Sequence, residues 1–89
     1  MKNYLPLGTV VRLKNGTKRI MIYGRRQIQA ETGEMYDYVA CFYPEGNISP
    51  EYTFLFNGDS IEEVIFEGFS DEENDKYVEL LNGLDEPKE

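Results

Sequence analysis

At 89 residues the chain has room for one domain built on one small core. Hydrophobic residues make up 40% and aromatics 13%, which suits a globular fold and excludes a disordered one. The absence of His removes the commonest general base and metal ligand, and the lone Cys41 rules out an internal disulfide and a multi-cysteine metal site.

The net charge of −8 is strongly segregated, because residues 1–30 hold seven cations and no acid while residues 31–89 hold all 17 acids and two lysines. Two readings follow. The basic third either presents a binding surface to an acidic partner or nucleic acid, or neutralises the acidic remainder within one compact fold. No apolar run approaches the ~20 residues that a membrane-spanning helix needs. The opening Met1-Lys-Asn-Tyr-Leu-Pro carries no apolar signal-peptide core, which predicts a cytoplasmic protein.

In chain order, Tyr4–Gly8 is an extended lead-in, with Pro6 biasing Leu5 away from helix. Thr9–Leu13 and Ile20–Tyr23 are short apolar runs on either side of Asn15-Gly16, a β-hairpin signal, since Asn and Gly tolerate the positive φ of tight turns. Any even-length loop puts Val11, Leu13, Ile20 and Ile22 on one face. A two-residue loop would set Arg12 opposite Arg19, so the spacing favours a four-residue loop, Asn15 to Lys18, pairing Leu13 with Ile20 and Val11 with Ile22.

Gly24 marks a bend or bulge, and Arg25–Glu31 reads as a short edge continuation. Glu31-Thr-Gly33-Glu34 is a turn signal. Met35–Tyr43, dense in aromatic and β-branched residues, is the strongest strand candidate and belongs centrally in the sheet. A loop fenced by Pro44 and Pro50 leads to a strand over Tyr52–Phe56. After the turn at Asn57-Gly58-Asp59, Ser60–Glu63 forms one helical turn or a lead-in, and Val64–Phe66 is the last strand.

Ser70-Asp-Glu-Glu73 has capping-box spacing, predicting a helix over about 71–82 with Tyr77, Val78, Leu81 and Leu84 on one face. Asn82-Gly83 supplies the stop. The organisation is one β-rich domain over residues 1–84, followed by an acidic tail, 85–89. The fold class is mainly β (α+β): a small antiparallel SH3-like half-barrel of about five strands with a C-terminal helix. The runner-up is a flat meander with one helix across it.

Catalytic chemistry finds little support. Cys41 lies mid-strand between Ala40 and Phe42, where a free cysteine behaves as a small core hydrophobe. The acids Asp71, Glu72, Glu73 and Asp75 lack the glycine of a calcium-binding loop, and no phosphate-cradling glycine pattern occurs. The chain therefore predicts no catalytic residue, no cofactor and no metal. Aromatic residues are in surplus instead. Tyr36, Tyr38, Tyr43 and Tyr52 either line an exposed groove or fill the small barrel and cap its ends.

The run Tyr4-Leu-Pro-Leu-Gly-Thr-Val-Val-Arg-Leu-Lys-Asn-Gly-Thr-Lys-Arg-Ile-Met-Ile-Tyr-Gly-Arg25, with Tyr36–Gly46 and Val64–Phe69, resembles an uncharacterised domain-of-unknown-function family of small Gram-positive bacterial proteins. Members are often encoded beside LXG-type polymorphic toxins and type VII secretion genes. The resemblance covers Tyr4 to Phe69 and implies a non-enzymatic accessory role, such as a targeting factor or chaperone for a secreted toxin. It brings no active-site residues with it.

The expected function is a protein-binding module whose partner is another protein, with the LXG toxin or a secretion factor suggested by the resemblance. Its candidate contact residues are Arg12, Lys14, Lys18, Arg19, Arg25, Arg26, Tyr36, Tyr38, Tyr43 and Tyr52. One alternative is an immunity or regulatory protein using the acids at 71–75. The other is nucleic-acid binding through the six basic residues of that set.

Overall fold

A computed structural model of the protein describes residues 3–85. Five strands form one open antiparallel sheet in the order β4-β3-β2-β1-β5, and one helix packs against it. The strands are β1 (Val10–Leu13), β2 (Ile20–Ile28), β3 (Met35–Phe42), β4 (Phe54–Phe56) and β5 (Ile61–Phe66), and α1 spans Glu72–Asp85. This is the mainly β, α+β architecture that the alternating apolar runs predict. The last strand returns beside the first, and the sheet does not close.

The opening hairpin keeps its predicted face and loses its predicted register. Val11 pairs with Ile20 and Val10 with Met21, two residues away from the expected alignment. Parity is kept: Val11, Ile20 and Ile22 all enter the core, with Leu13 packed against it. The observed alignment is the one that would place Arg12 opposite Arg19. The ladder ends at Val11–Ile20, before they meet, and on the other edge of β1 Arg12 pairs with Glu63. Asn15 takes the expected positive φ of 64°, in a turn closed by Gly16 N donating to Leu13 O at 3.0 Å.

β2 is one nine-residue strand, paired with β3 along its length; β1 pairs only with Ile20 and Met21, so Arg25–Ile28 has β3 on one side and, among the described residues, no strand on the other. The register slips by one between Ile22 and Gly24, leaving Tyr23 as the extra residue of a bulge. Gly24 is required there, since a Cβ would sit 2.6 Å from Val39 Cγ1. The turn to β3 closes with Gly33 N donating to Gln29 O at 2.8 Å.

Two short 3-10 turns frame β4. The first, Pro50–Tyr52, is capped by the Ser49 side chain and takes Tyr52 out of the predicted strand. The second, Gly58–Ser60, ends where the one-turn helix was expected to begin, so β5 starts early, at Ile61. Past β5, Gly68 crosses so close to the lead-in that a Cβ there would lie 2.1 Å from Leu7 O. Only glycine allows that crossing.

The core lies between the inner sheet face and α1: Tyr4, Val11, Ile20, Ile22, Tyr38, Ala40, Phe56 and Leu81. Asp71, not Ser70, caps the helix, its Oδ1 accepting from Asn74 N at 3.0 Å. Leu81, Asn82 and Val78 form the docked face, at helical spacing. Tyr77 and Leu84, expected on that face, stay exposed. The stop at Asn82-Gly83 is overrun and Asp85 is helical, so the predicted acidic tail loses its first residue. Residues 86–89 of that tail lie outside the described residues. Among the described residues no helix is long and apolar enough to cross a membrane.

Candidate functional site

The outer face of the sheet, turned away from α1, carries an apolar row across three strands. Ladder partners share a face, so the pairs Val10–Met21 and Val10–Phe66 line up side by side. Ile65 joins them as the extra residue of a bulge, since Val11 pairs with Val64 and Val10 with Phe66. These residues and Tyr43 line an open groove of about 410 Å³, with Arg19 at its rim. Tyr43 stands at the end of β3, where its N–H donates to Arg19 O at 3.0 Å, and this bond ties the two rim residues together. A second hollow of about 500 Å³ continues past Arg19 and Tyr43 to Thr17, Lys18 and Pro44.

The remaining basic residues are mostly committed within the fold. Arg12 Nε lies 3.7 Å from Glu63 Oε1, and its Nη1 donates to Gly16 O at 3.2 Å. Lys18 Nζ donates to both Glu45 oxygens, at 2.9 and 3.0 Å, and stands 5.6 Å from the Phe42 ring centroid. That contact holds the Glu45 carboxyl below its ordinary range. Arg25 Nη1 donates to Leu5 O at 3.3 Å and Asn74 Oδ1 at 2.8 Å, with its guanidinium 5.3 Å from the Tyr77 centroid. Arg26 Nε donates to Asp85 Oδ1 at 2.9 Å and Nη2 to Leu84 O at 3.3 Å. Lys14 and Arg19 are exposed and have no carboxylate partner among the described residues.

The tyrosines divide. Tyr38 is 4% exposed, its ring against Tyr4 and Phe56, and its oxygen accepts from Leu5 N at 2.9 Å. It is a core residue and cannot line a surface groove. Tyr36 donates to Glu34 Oε2 at 2.9 Å, which raises its phenol pKa. Tyr52 packs on Phe42, which also meets Phe54, closing one end of the core. Only Tyr43 belongs to the groove. The aromatic surplus thus serves core and rim, with one tyrosine left for the outer face.

Of the ten predicted contact residues, the fold brings Lys18, Arg19 and Tyr43 together and disperses the others. Sequence reasoning missed Val10, Met21, Ile65 and Phe66. Alternation held the signal for Val10 and Met21, which lie out of phase with Val11 and Ile22. Among the described residues no group of three metal-ligating side chains occurs. Cys41 is buried, and burial pushes its thiol pKa up, the opposite of an activated nucleophile.

A family model matches residues 4–77, well over half of the chain. The protein belongs to the family described as Domain of unknown function (DUF4176). The DUF4176 match runs from the lead-in segment through both walls of the groove and into the first turns of α1, ending at Tyr77. No curated protein and no solved structure matches the chain.

Proposed function

We propose that this protein is a non-enzymatic, protein-binding accessory module that docks its partner in the outer groove. The observation that carries the reading is the meeting of exposed apolar side chains (Phe66, Ile65, Tyr43) with Arg19, a cation lacking an acid partner among the described residues. Partially exposed aromatics beside an arginine are the residue types that anchor protein interfaces. The matching segment of the partner is apolar, with a carboxylate placed to meet Arg19.

The resemblance of Tyr4–Arg25, Tyr36–Gly46 and Val64–Phe69 to proteins encoded beside LXG toxins suggests that partner: a type VII secreted LXG toxin, for which this module acts as targeting factor or chaperone. The experiment is co-purification of the chain with the LXG protein of its own locus, repeated with Phe66→Ser and Arg19→Glu. Retention by the parent chain and loss in both variants, with circular dichroism unchanged, supports the reading. Undiminished capture by both variants removes the groove, and failure of the parent chain to capture the toxin removes the partner.

A second reading is an immunity or regulatory protein, favoured by the solvent-facing acids Asp71, Glu72, Glu73 and Asp75, which suit a basic toxin domain. Protection of cells expressing the toxin would select it. Nucleic-acid binding is the least favoured, since most of the six basic residues hold internal contacts.

A further inference from the structure

The helix has a second apolar stripe that the fold leaves uncovered. Tyr77, Leu80 and Leu84 are 50%, 59% and 56% exposed, and Phe69, just before the helix, is 81% exposed. Their spacing of three and four residues is the seam by which one helix receives another. It lies on a different side of α1 from the docked Val78, Leu81 and Asn82. Between the stripe and the sheet is a hollow of about 590 Å³, walled by Phe69, Arg25, Tyr77 and Leu80. Arg25 packs over the Tyr77 ring and donates to Asn74 on the preceding turn, so one wall of the hollow is already held in place.

Charge decides what the seam takes. The solvent side of α1 carries Glu72, Glu73, Asp75 and Glu79 against the single cation Lys76. A second copy of the chain brings the same acids and another −8 of net charge. Parallel pairing would set Glu73 against Glu73, and antiparallel pairing would set it against the negative C-terminal end of the other helix. We infer that the Tyr77–Leu80–Leu84 seam is a docking site for an amphipathic helix of another protein, apolar along its seam and flanked by lysine and arginine. The site stands on α1 and is independent of the outer groove.

Two synthetic helical peptides test it, titrated against the full chain by fluorescence anisotropy. They share one leucine seam, and their flanks are lysine and arginine in one and glutamate in the other. The basic-flanked peptide binds at least about tenfold tighter. Leu80→Glu and Leu84→Glu each abolish that binding, although each adds a negative charge that would strengthen a purely electrostatic attachment. Both positions are exposed, so both variants keep the parent circular dichroism; Leu80→Ser and Leu84→Ser replace either one that does not. Four results overturn the inference: equal binding of the two peptides, undiminished binding in the Leu80 and Leu84 variants, equal binding of a scrambled basic peptide, or a parent dimer in sedimentation that the Leu80 variant dissociates.

Discussion

The two faces of the sheet are built from the same strands by the same alternation, and they end in opposite conditions. The inner face is sealed: Val11, Ile22 and Ala40 are fully buried beneath Tyr4 and Leu81. The outer face buries Val10, Val39 and Cys41 but leaves Tyr43, Ile65 and Phe66 open to solvent. Covering one side therefore requires a separate element, and among the described residues one helix does so, for one side. The contrast separates stability from recognition, since side chains that hold the fold lie inward and side chains free to meet a partner lie outward.

The contrast breaks most sharply under truncation. Ile22→Ala, a fully buried inward position, should cost about 3 kcal/mol of unfolding free energy, whereas Phe66→Ala on the outer face should cost about 0.5 kcal/mol or less. Urea denaturation of both variants measures the difference, and comparable losses would mean that the outer face is structural too.

Alkaline titration examines the seal itself. Burial, reinforced by the hydrogen bond its hydroxyl donates to Asp85, raises the Tyr4 phenol pKa above its ordinary 10.0. The folded chain then holds that proton where the unfolded chain releases it. Stability is intact below pH 10 and falls as pH rises beyond it, by up to about 1.4 kcal/mol per pH unit. Tyr4→Phe should cost about 1 kcal/mol at neutral pH. Its deficit against the parent should close above pH 10 in paired denaturation curves.

Arg26 sharpens the comparison at the helix end of the inner face. Its φ of 52° is left-handed, a conformation that suits glycine better than arginine, yet its guanidinium pairs with Asp85. Arg26→Ala and Arg26→Gly both lose the ion pair, so the glycine variant should be the more stable by about 1 kcal/mol. The smallest effect concerns the exposed pair near the outer groove. Lys18 lowers the Glu45 pKa, so the pair contributes stability above the ordinary 4.5 that fades as pH falls through the lowered value. Lys18→Ala should return the Glu45 carboxyl toward 4.5 in an NMR titration, with little change in unfolding free energy.

Local rules carried the elements a long way and stopped where distant parts of the chain compete. Asn15-Gly16, Gly24 and Gly33 were readable because each answers a backbone need within a few residues. The hairpin register was not: the ladder ends at Val11–Ile20, short of the Arg12–Arg19 meeting that disfavoured it, and Arg12 lies beside Glu63 of β5, some fifty residues downstream. The helix was readable from its acids and periodicity, but its sequence offers two apolar stripes, and only the sheet's shape selects Val78 and Leu81 over Tyr77 and Leu84. Charge segregation was plain in the sequence. The pairings of Arg12 with Glu63, Lys18 with Glu45 and Arg26 with Asp85 were not, since each spans a separation over which residue order alone sets no contact. The groove was hidden for the same reason: its two walls come from strands adjacent only after folding.

The hydroxyl of Tyr4 reaches Asp85, 81 residues away in the chain, and Leu81 packs into the cluster that contains Tyr4. Seen in time instead of space, this makes the fold a late event. A refolding chain can pair all five strands before α1 docks, and its inner face then stays wet. Until the helix docks, the paired sheet presents apolar surface on both sides, and its exposure to aggregation lasts as long as that long-range contact takes to form.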